Sequence, residues 1–446
     1  MQKNFIKFAL IPTLLISIFF IRFYFVNHYA MPLPFWDEWD SEGDYLLRSW
    51  VEGTLKVSDL WQLHNEHRIF PTRLLSLLLY RINGQWNNLA LARINVFLAV
   101  IIPALLIWFL LKFNVLYGRK LWLLPVIIAQ FALPFSFENM LVGFQSQFYF
   151  LILFTVAALG LAASYPKNWY VKVFISILCF LSIFTMASGI LTPLAVSGVL
   201  ILYWLDQHDR KYLHLFPVAA LIIMAIIGYA DIPHILAHDI YRARNFSEWI
   251  HSALRILSWP TGPHSWIAAP LWLPGAITIP ILLRKKKLCK SDLFMAGCFM
   301  WSFAQALAIA FGRGQELTAI PSRYTDLLSI GLIGNAWFAL RFTEQYEKQK
   351  WQKHIMLAIF PLFFNGHKKR FEFDLIDMKR IHKYSVIQTR NVTKYYETHN
   401  PAYLQQPTMH IPYPDSVRLK NLLDNPTIKK LLPSEIRGKY HVSKSR

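Results

Sequence analysis

LALARINVFLAVIIPALLIWFLL, residues 89–111, holds a single charge, Arg93, in 23 positions. As a helix rising 1.5 Å per residue it would measure about 35 Å, enough to cross the ~30 Å hydrocarbon core of a bilayer. Apolar runs of the same kind flank it at 8–26, 121–137, 146–164, 171–187, 189–205, 213–230, 265–283, 292–311 and 324–340, with a short one at 354–364. The composition agrees. The 446 residues are 55% apolar and 16% charged, with a mean hydropathy of +0.32. A soluble domain carries ~25% charged residues. A soluble enzyme, a disordered chain and a disulfide scaffold are excluded together. Cys179, Cys289 and Cys298 have no metal-ligand spacing. The predicted fold class is an all-α polytopic membrane protein of about eleven transmembrane helices over 1–364, followed by a small, basic, soluble C-terminal domain at 365–446.

The formal charge of +20 has a topological reading. Basic residues gather in alternate turns: Lys112, Arg119 and Lys120; Lys167 and Lys172; Arg210 and Lys211; Arg284 to Lys287 with Lys290; and Arg341, Lys348, Lys350 and Lys353. Such turns stay on the cytoplasmic side. The first run follows Lys3 and Lys7, contains Arg22 and lacks a small-residue cleavage site, so it reads as an uncleaved span with its N-terminus inside. Parity then places 27–88, 135–145, 231–264, 312–323 and the tail outside, and every basic turn inside. The tail reads as a cap on the membrane domain, and its charge suits anionic lipid. No aromatic-basic interleaving points to nucleic acid.

Chemistry concentrates in the outside segments. PLPFWDEWDSEGDYLLRSW, residues 32–50, packs Asp37, Glu38, Asp40, Glu42 and Asp44 between Trp36, Trp39 and Trp50. Aromatic walls beside a carboxylate exclude water, raise its pKa and offer apolar faces to a sugar ring. Asp37 and Glu38 are the candidate catalytic pair, with Asp37 in a pocket walled by Trp36 and Trp39. An interfacial aromatic belt would account for the tryptophans but not for the acids. His64, Asn65, Glu66, His67 and Arg68 follow, ahead of an amphipathic stretch at 70–80 that carries Arg73. Two imidazoles and a carboxylate can hold a divalent cation such as Mg or Mn, or bond substrate hydroxyls and phosphate. The His64-x-x-His67 spacing is not the helical pair of a zinc protease. In AFGRGQELTAIPSRYTDLL, Arg313 and Arg323 bracket an outside loop, with Tyr324 beside the second. Forked guanidinium groups match phosphate oxygens; snorkelling at helix ends is the plain alternative. Glu138, Asn139, Gln145 and Gln147, and the turn at Ser188 and Gly189, are expected to line the same cavity.

FWDEW, HNEHRI, ENMLVGFQ, MASGILTP, GRG…SRY and the tail PYPDSVRLKNLLDNPTIKKLLP occur in this order. The set resembles a bacterial branch of the GT-C type membrane glycosyltransferases. The resemblance implies a multi-pass protein of the bacterial inner membrane with an extracytoplasmic active site. It implies a polyprenyl-phosphate-linked sugar donor, a cell-envelope glycan or lipid acceptor, and inversion at the anomeric carbon. Asp37 would be the base or acceptor-orienting acid with Glu38 beside it, and Arg313 and Arg323 would bind phosphate. Trp36, His64, Glu66, His67, Arg68, Arg73 and Tyr324 complete the expected substrate site. A transporter or flippase of lipid-linked glycans is the rival reading; it would want charged residues deep within the spans. A structural subunit of an envelope assembly is another, and leaves the acid run unexplained.

Overall fold

The computed structural model describes residues 9–208, 212–262, 264–315, 317–346 and 350–437. Lys3, Lys7, Arg210, Lys211 and Lys348, used above for topology, lie outside them. Among the described residues every regular element is helical, and the only β-type contact is an isolated bridge between His64 and His67. The chain is all-α, as its composition requires.

Six helices are long and apolar enough to cross a membrane: Ile11–Tyr29, Asn88–Lys112, Gly143–Ser164, Ala187–Asp206, Ser265–Arg284 and Lys290–Arg313. Trp169–Ile183 and Phe216–Ala230 are apolar but shorter. These features mark a membrane-embedded protein. Helix Thr325–Gln345 is buried on nearly all sides, against Lys290–Arg313, Ala268–Arg284 and Leu123–Ala132. Neighbouring helices cover its Asp326, Ser329, Asn335 and Thr343, so polar residues are tolerated at the centre of the bundle.

Two expected spans are built differently. The run at 121–137 is broken after the α-helix Leu123–Ala132, because Leu133, ahead of Pro134, turns extended at ψ 155°, and a new helix begins only at Phe137. A residue before proline avoids the helical region. At about 15 Å this helix is too short to cross a bilayer. The run at 354–364 is divided between Lys350–Leu357 and the start of a 40-residue helix, Ile359–Thr398. The expected boundary between 364 and 365 therefore falls inside one continuous helix, about 60 Å long.

That helix links the bundle to its cap. Its Met378 packs with Phe25, Val26 and Tyr29 at the end of the first helix, and the His382 ring bonds the Tyr29 carbonyl at 2.8 Å. Further on, Val392 and Tyr395 enter a separate apolar cluster with Leu419, Leu422, Ile428 and Leu431 of the tail and Leu33, Trp39, Leu47 and Trp86 of the first loop. The Trp36 and Trp86 amides donate to the Pro412 and Leu431 carbonyls, each at 2.7 Å. Tail and first loop thus share one core.

Candidate functional site

The first loop sorts its five acids by environment. Residues Trp39–Arg48 form a π-helix, a rare wide helix that is frequent at functional sites. It lies so close to Trp86 that a Cβ on Gly43 would sit 2.4 Å from the indole. Glu38 is fully buried; its Oε2 accepts from the Phe35 amide at 2.5 Å and its Oε1 from the Phe144 amide at 3.2 Å. Glu42 is buried too and accepts from the Ser76 hydroxyl and, at 3.3 Å, from Trp86 Nε1. Burial pushes both carboxyls up, Glu42 to about 7, and Glu38 is raised further by Glu42 beside it. Asp40 accepts from Tyr413 Oη at 2.6 Å and, with Asp44, from Arg418 of the tail at 3.0 and 2.7 Å.

Asp37 alone is exposed, and its carboxylate accepts no hydrogen bond among the described residues. The expected pocket of Trp36 and Trp39 is not what surrounds it. Trp39 is wholly buried, donates to the Pro34 carbonyl at 2.9 Å and meets Trp86 edge-on at 5.2 Å. Trp36 is partly exposed at a left-handed turn, φ 50°. The indole ring is worth more in the shared core than beside a solvated acid. Glu38, fixed by two amides, holds the backbone from which Asp37 projects.

HNEHR is a turn, not a helix. The His64 amide donates to the His67 carbonyl at 2.7 Å and the return bond is 3.0 Å, with Asn65 left-handed at φ 51°. Ile69 is left-handed as well, φ 45° and ψ 28°, which for a β-branched residue costs ~1–3 kcal/mol. Ile69 and Phe70 donate to Thr185 and Phe184 at 3.3 and 2.8 Å, and the Ala187 amide donates to His67 Nδ1 at 3.2 Å. The loop is therefore docked onto the Met186–Pro193 turn. That turn closes tightly, since a Cβ on Gly189 would stand 1.9 Å from the Ser182 carbonyl.

Surrounding protein lowers both imidazoles, His67 to about 4, so both are neutral at pH 7. His64 lies edge-on to Phe144 at 5.7 Å, and its buried Nε2 has no hydrogen-bond partner. Glu66 turns away to His238. Arg68 binds Asp231, 3.1 Å from Nε, and the Trp61 carbonyl at 2.7 Å. Arg73 is buried and spends one nitrogen on the Asp59, Leu60 and Gln62 carbonyls at 3.0, 3.2 and 2.6 Å, its face 4.9 Å over Tyr45. Arg68 and Arg73 are thus braces of the loop. Among the described residues no group of three or more His, Cys, Asp or Glu is placed to hold a metal ion.

Arg313 and Arg323 differ. Arg323 is locked to Glu138: its amide and Nη1 each donate at 3.0 Å, and Ser322 Oγ donates to the same carboxylate at 2.8 Å. Asn139 donates to the Arg323 carbonyl at 2.8 Å and to Asp326 at 3.0 Å. Tyr324 lies beneath the Arg323 guanidinium at 5.1 Å and packs on Phe148. Arg313 stands over the Tyr241 ring at 4.9 Å and makes no ion pair or side-chain hydrogen bond among the described residues. It is within electrostatic reach of His67, as Asp37 is of His64.

The His64–His67 turn, with its two neutral imidazoles, therefore lies within electrostatic range of a carboxylate, Asp37, and a cation, Arg313, that are both unpaired among the described residues. Buried polar atoms without partners occur on the elements that gather there, at His64 Nε2, Gln147 Oε1, Ser188 Oγ and Gln305 Oε1. Such atoms are rare unless a ligand or water satisfies them. Gln305 Nε2 donates to the Ser188 carbonyl at 3.3 Å. Sequence reasoning missed Asp231, His238 and Tyr241, which brace this face, and Arg418, which clamps the loop. For His238 and Tyr241 the signal was present as a polar, aromatic segment, LAHDIYRARN at 236–245. No family model, curated protein or solved structure matches this chain.

Proposed function

We propose that this chain is a membrane glycosyltransferase. It moves a sugar from a polyprenyl-phosphate donor to a glycan or lipid acceptor of the bacterial envelope. In this reading the first loop and the tail face the extracytoplasmic side. The observation that carries the proposal is the pairing of an exposed, unpaired Asp37 with an unpaired Arg313 across two neutral histidines. A transferase that breaks a sugar–phosphate bond needs these two charges, held apart.

The acceptor hydroxyl approaches Asp37, whose carboxylate takes its proton as the new bond to the anomeric carbon forms. The bond between that carbon and the phosphate oxygen breaks, and the leaving phosphate gains charge. Arg313, stacked on Tyr241 and paired with no carboxylate among the described residues, can neutralise it with a forked pair of donors. His64 Nε2 and the Ser188 hydroxyl are free to bond sugar hydroxyls. Glu38 positions Asp37, and no step runs through a metal. Charged groups within the bundle do not favour a transporter. Arg22 is engaged by Tyr149 Oη at 2.7 Å and the Phe131 carbonyl at 2.9 Å, as a structural tie would be.

Membranes carrying the full chain should transfer labelled sugar from a polyprenyl-phosphate donor to an envelope acceptor, and membranes lacking it should not. Full glycan transfer by the Asp37→Asn and Arg313→Ala variants together would end this reading.

A further inference from the structure

At the end of the bundle away from the first loop lies a cleft of about 380 Å³. That volume is within the ~300–1,000 Å³ of ordinary small-molecule sites. Lys112, Phe113, Ser164, Tyr165, Lys290 and Ser291 contribute to its lining. Helices Asn88–Lys112 and Ser146–Ser164 end here and helix Lys290–Arg313 begins here. All three belong to membrane-length segments, so the cleft sits at the level of lipid headgroups.

Its chemistry is cationic and incompletely satisfied. Lys112 Nζ donates to Tyr165 Oη at 2.9 Å and stands over the Tyr165 and Trp108 rings at 4.3 and 4.8 Å. Those contacts hold the ammonium group in place without neutralising it. Lys290 is exposed, acts electrostatically on the same phenol, and makes no ion pair or side-chain hydrogen bond among the described residues. Ser164 is 3% exposed, yet its hydroxyl has no partner. The first turn of helix Lys290–Arg313 adds its positive dipole end. Asp292, which accepts from the Cys289 amide at 3.1 Å, is fully buried and taken by Arg341 at 3.1 Å and Trp337 at 2.9 Å, so it does not fill the site.

We propose that this cleft binds a phosphate ester, with Lys112 and Lys290 as its cations and the Ser164 hydroxyl as a further donor. Two sources share that chemistry: the headgroup of an anionic phospholipid and a free phosphate. A basic pocket between membrane helices at headgroup depth suits the first. The site is independent of the proposed transferase activity.

The test uses the full chain in a maltoside detergent, which carries no phosphate, with binding read by native mass spectrometry and by the shift in thermal midpoint. The probes are dioctanoyl phosphatidylglycerol, inorganic phosphate and dioctanoylglycerol. Phosphatidylglycerol should bind saturably and the phosphate-free dioctanoylglycerol should not. Lys112→Met with Lys290→Met should weaken binding by at least about tenfold, since charge-assisted contacts carry it. Ser164→Ala should weaken it less, and Lys287→Met, outside the cleft, not at all. Inorganic phosphate binding as tightly as the lipid, with the same dependence on both lysines, would support the site and identify the free anion as its ligand. Should Lys112→Met disturb the fold, Lys290→Met alone, at an exposed position, keeps the test intact. Wild-type affinity in the lysine variants, or equal binding of dioctanoylglycerol, overturns the proposal.

Discussion

Arg313 and Arg323 flank the same short loop and read alike in sequence, yet they belong to regions built on opposite principles. Around Arg323 the polar groups are matched: Glu138 takes its guanidinium, its amide and the Ser322 hydroxyl, while Asn139 ties in Asp326. Around Arg313 they are left open: among the described residues the guanidinium has only a ring beneath it, His64 Nε2 has no partner, and Asp37 faces solvent. A matched cluster contributes to stability, because removing one member strands another. An open cluster contributes little to stability and is free to bind. The first region is an interlock between two outer turns, and the second is the candidate site.

The sharpest way to break this contrast is Asp37→Asn. An exposed carboxylate without partners can be exchanged for its amide with little effect on folding. Transfer should nevertheless fall by ~10²–10⁴, the usual worth of a general base. The check is the transfer rate in membranes holding equal amounts of folded protein. A normal rate would move catalysis out of this loop.

A second expectation concerns the acids that Asp37 leans on. The Glu42 carboxyl is raised from its usual 4.5 to about 7 because it is buried. The folded state therefore holds this proton more tightly than the unfolded chain does. Its contribution is complete below about pH 4.5 and lost as pH rises through about 7. The shift amounts to roughly 3 kcal/mol. The thermal midpoint of the purified protein should fall between pH 5 and pH 8, and Glu42→Gln should flatten that fall. Identical slopes in both proteins would mean that the carboxyl titrates normally.

Between the arginines, Arg313→Ala should lower donor turnover by roughly ten- to a hundredfold, the worth of a lost charge-assisted contact. Arg313→Lys should recover only part, as an ammonium group cannot fork. Folded yield should not change. Arg323→Ala should do the reverse and lower the thermal midpoint by leaving Glu138 Oε1 without its guanidinium partner, at a cost of ~1 kcal/mol. If Arg323→Ala abolished transfer at unchanged stability, the two regions would have to exchange roles.

The smallest effect is expected at Arg418. Its ion pairs with Asp40 and Asp44 are half-buried at the loop–tail seam and Arg418 itself is 41% exposed, so Arg418→Ala should cost on the order of 1 kcal/mol. Its readout is faster proteolysis of the tail with transfer largely retained. Complete unfolding would show that the clamp, and not the apolar core beneath it, holds the cap.

Much of the architecture was legible in the residues. Apolar length is a local property, so six membrane-length helices could be read from runs of 18 or more residues. The amphipathic helix Phe70–Asn83 likewise announces itself by period. Helix ends set by packing were harder. Pro134 marks where the 121–137 run must break, but nothing local marks residue 365, because the helical pattern continues through Thr398.

The candidate site shows the same division. Residue types and order were enough to single out the acid run, HNEHR and the two arginines. Which acid is free was decided by the fold. Glu38, just ahead of the π-helix, and Glu42, on it, point inward, Asp40 and Asp44 meet a tail more than 370 residues away, and only Asp37 is left over. The choice between Arg313 and Arg323 rests on Glu138, a partner 185 residues distant from Arg323. By itself the sequence determined that this chain is helical, apolar enough for a membrane, and polar in defined outer segments, since composition and period act over a few turns. Only the tertiary structure decided which polar groups are satisfied, because a hydrogen bond depends on distance in space, and the chain does not carry that distance in its order.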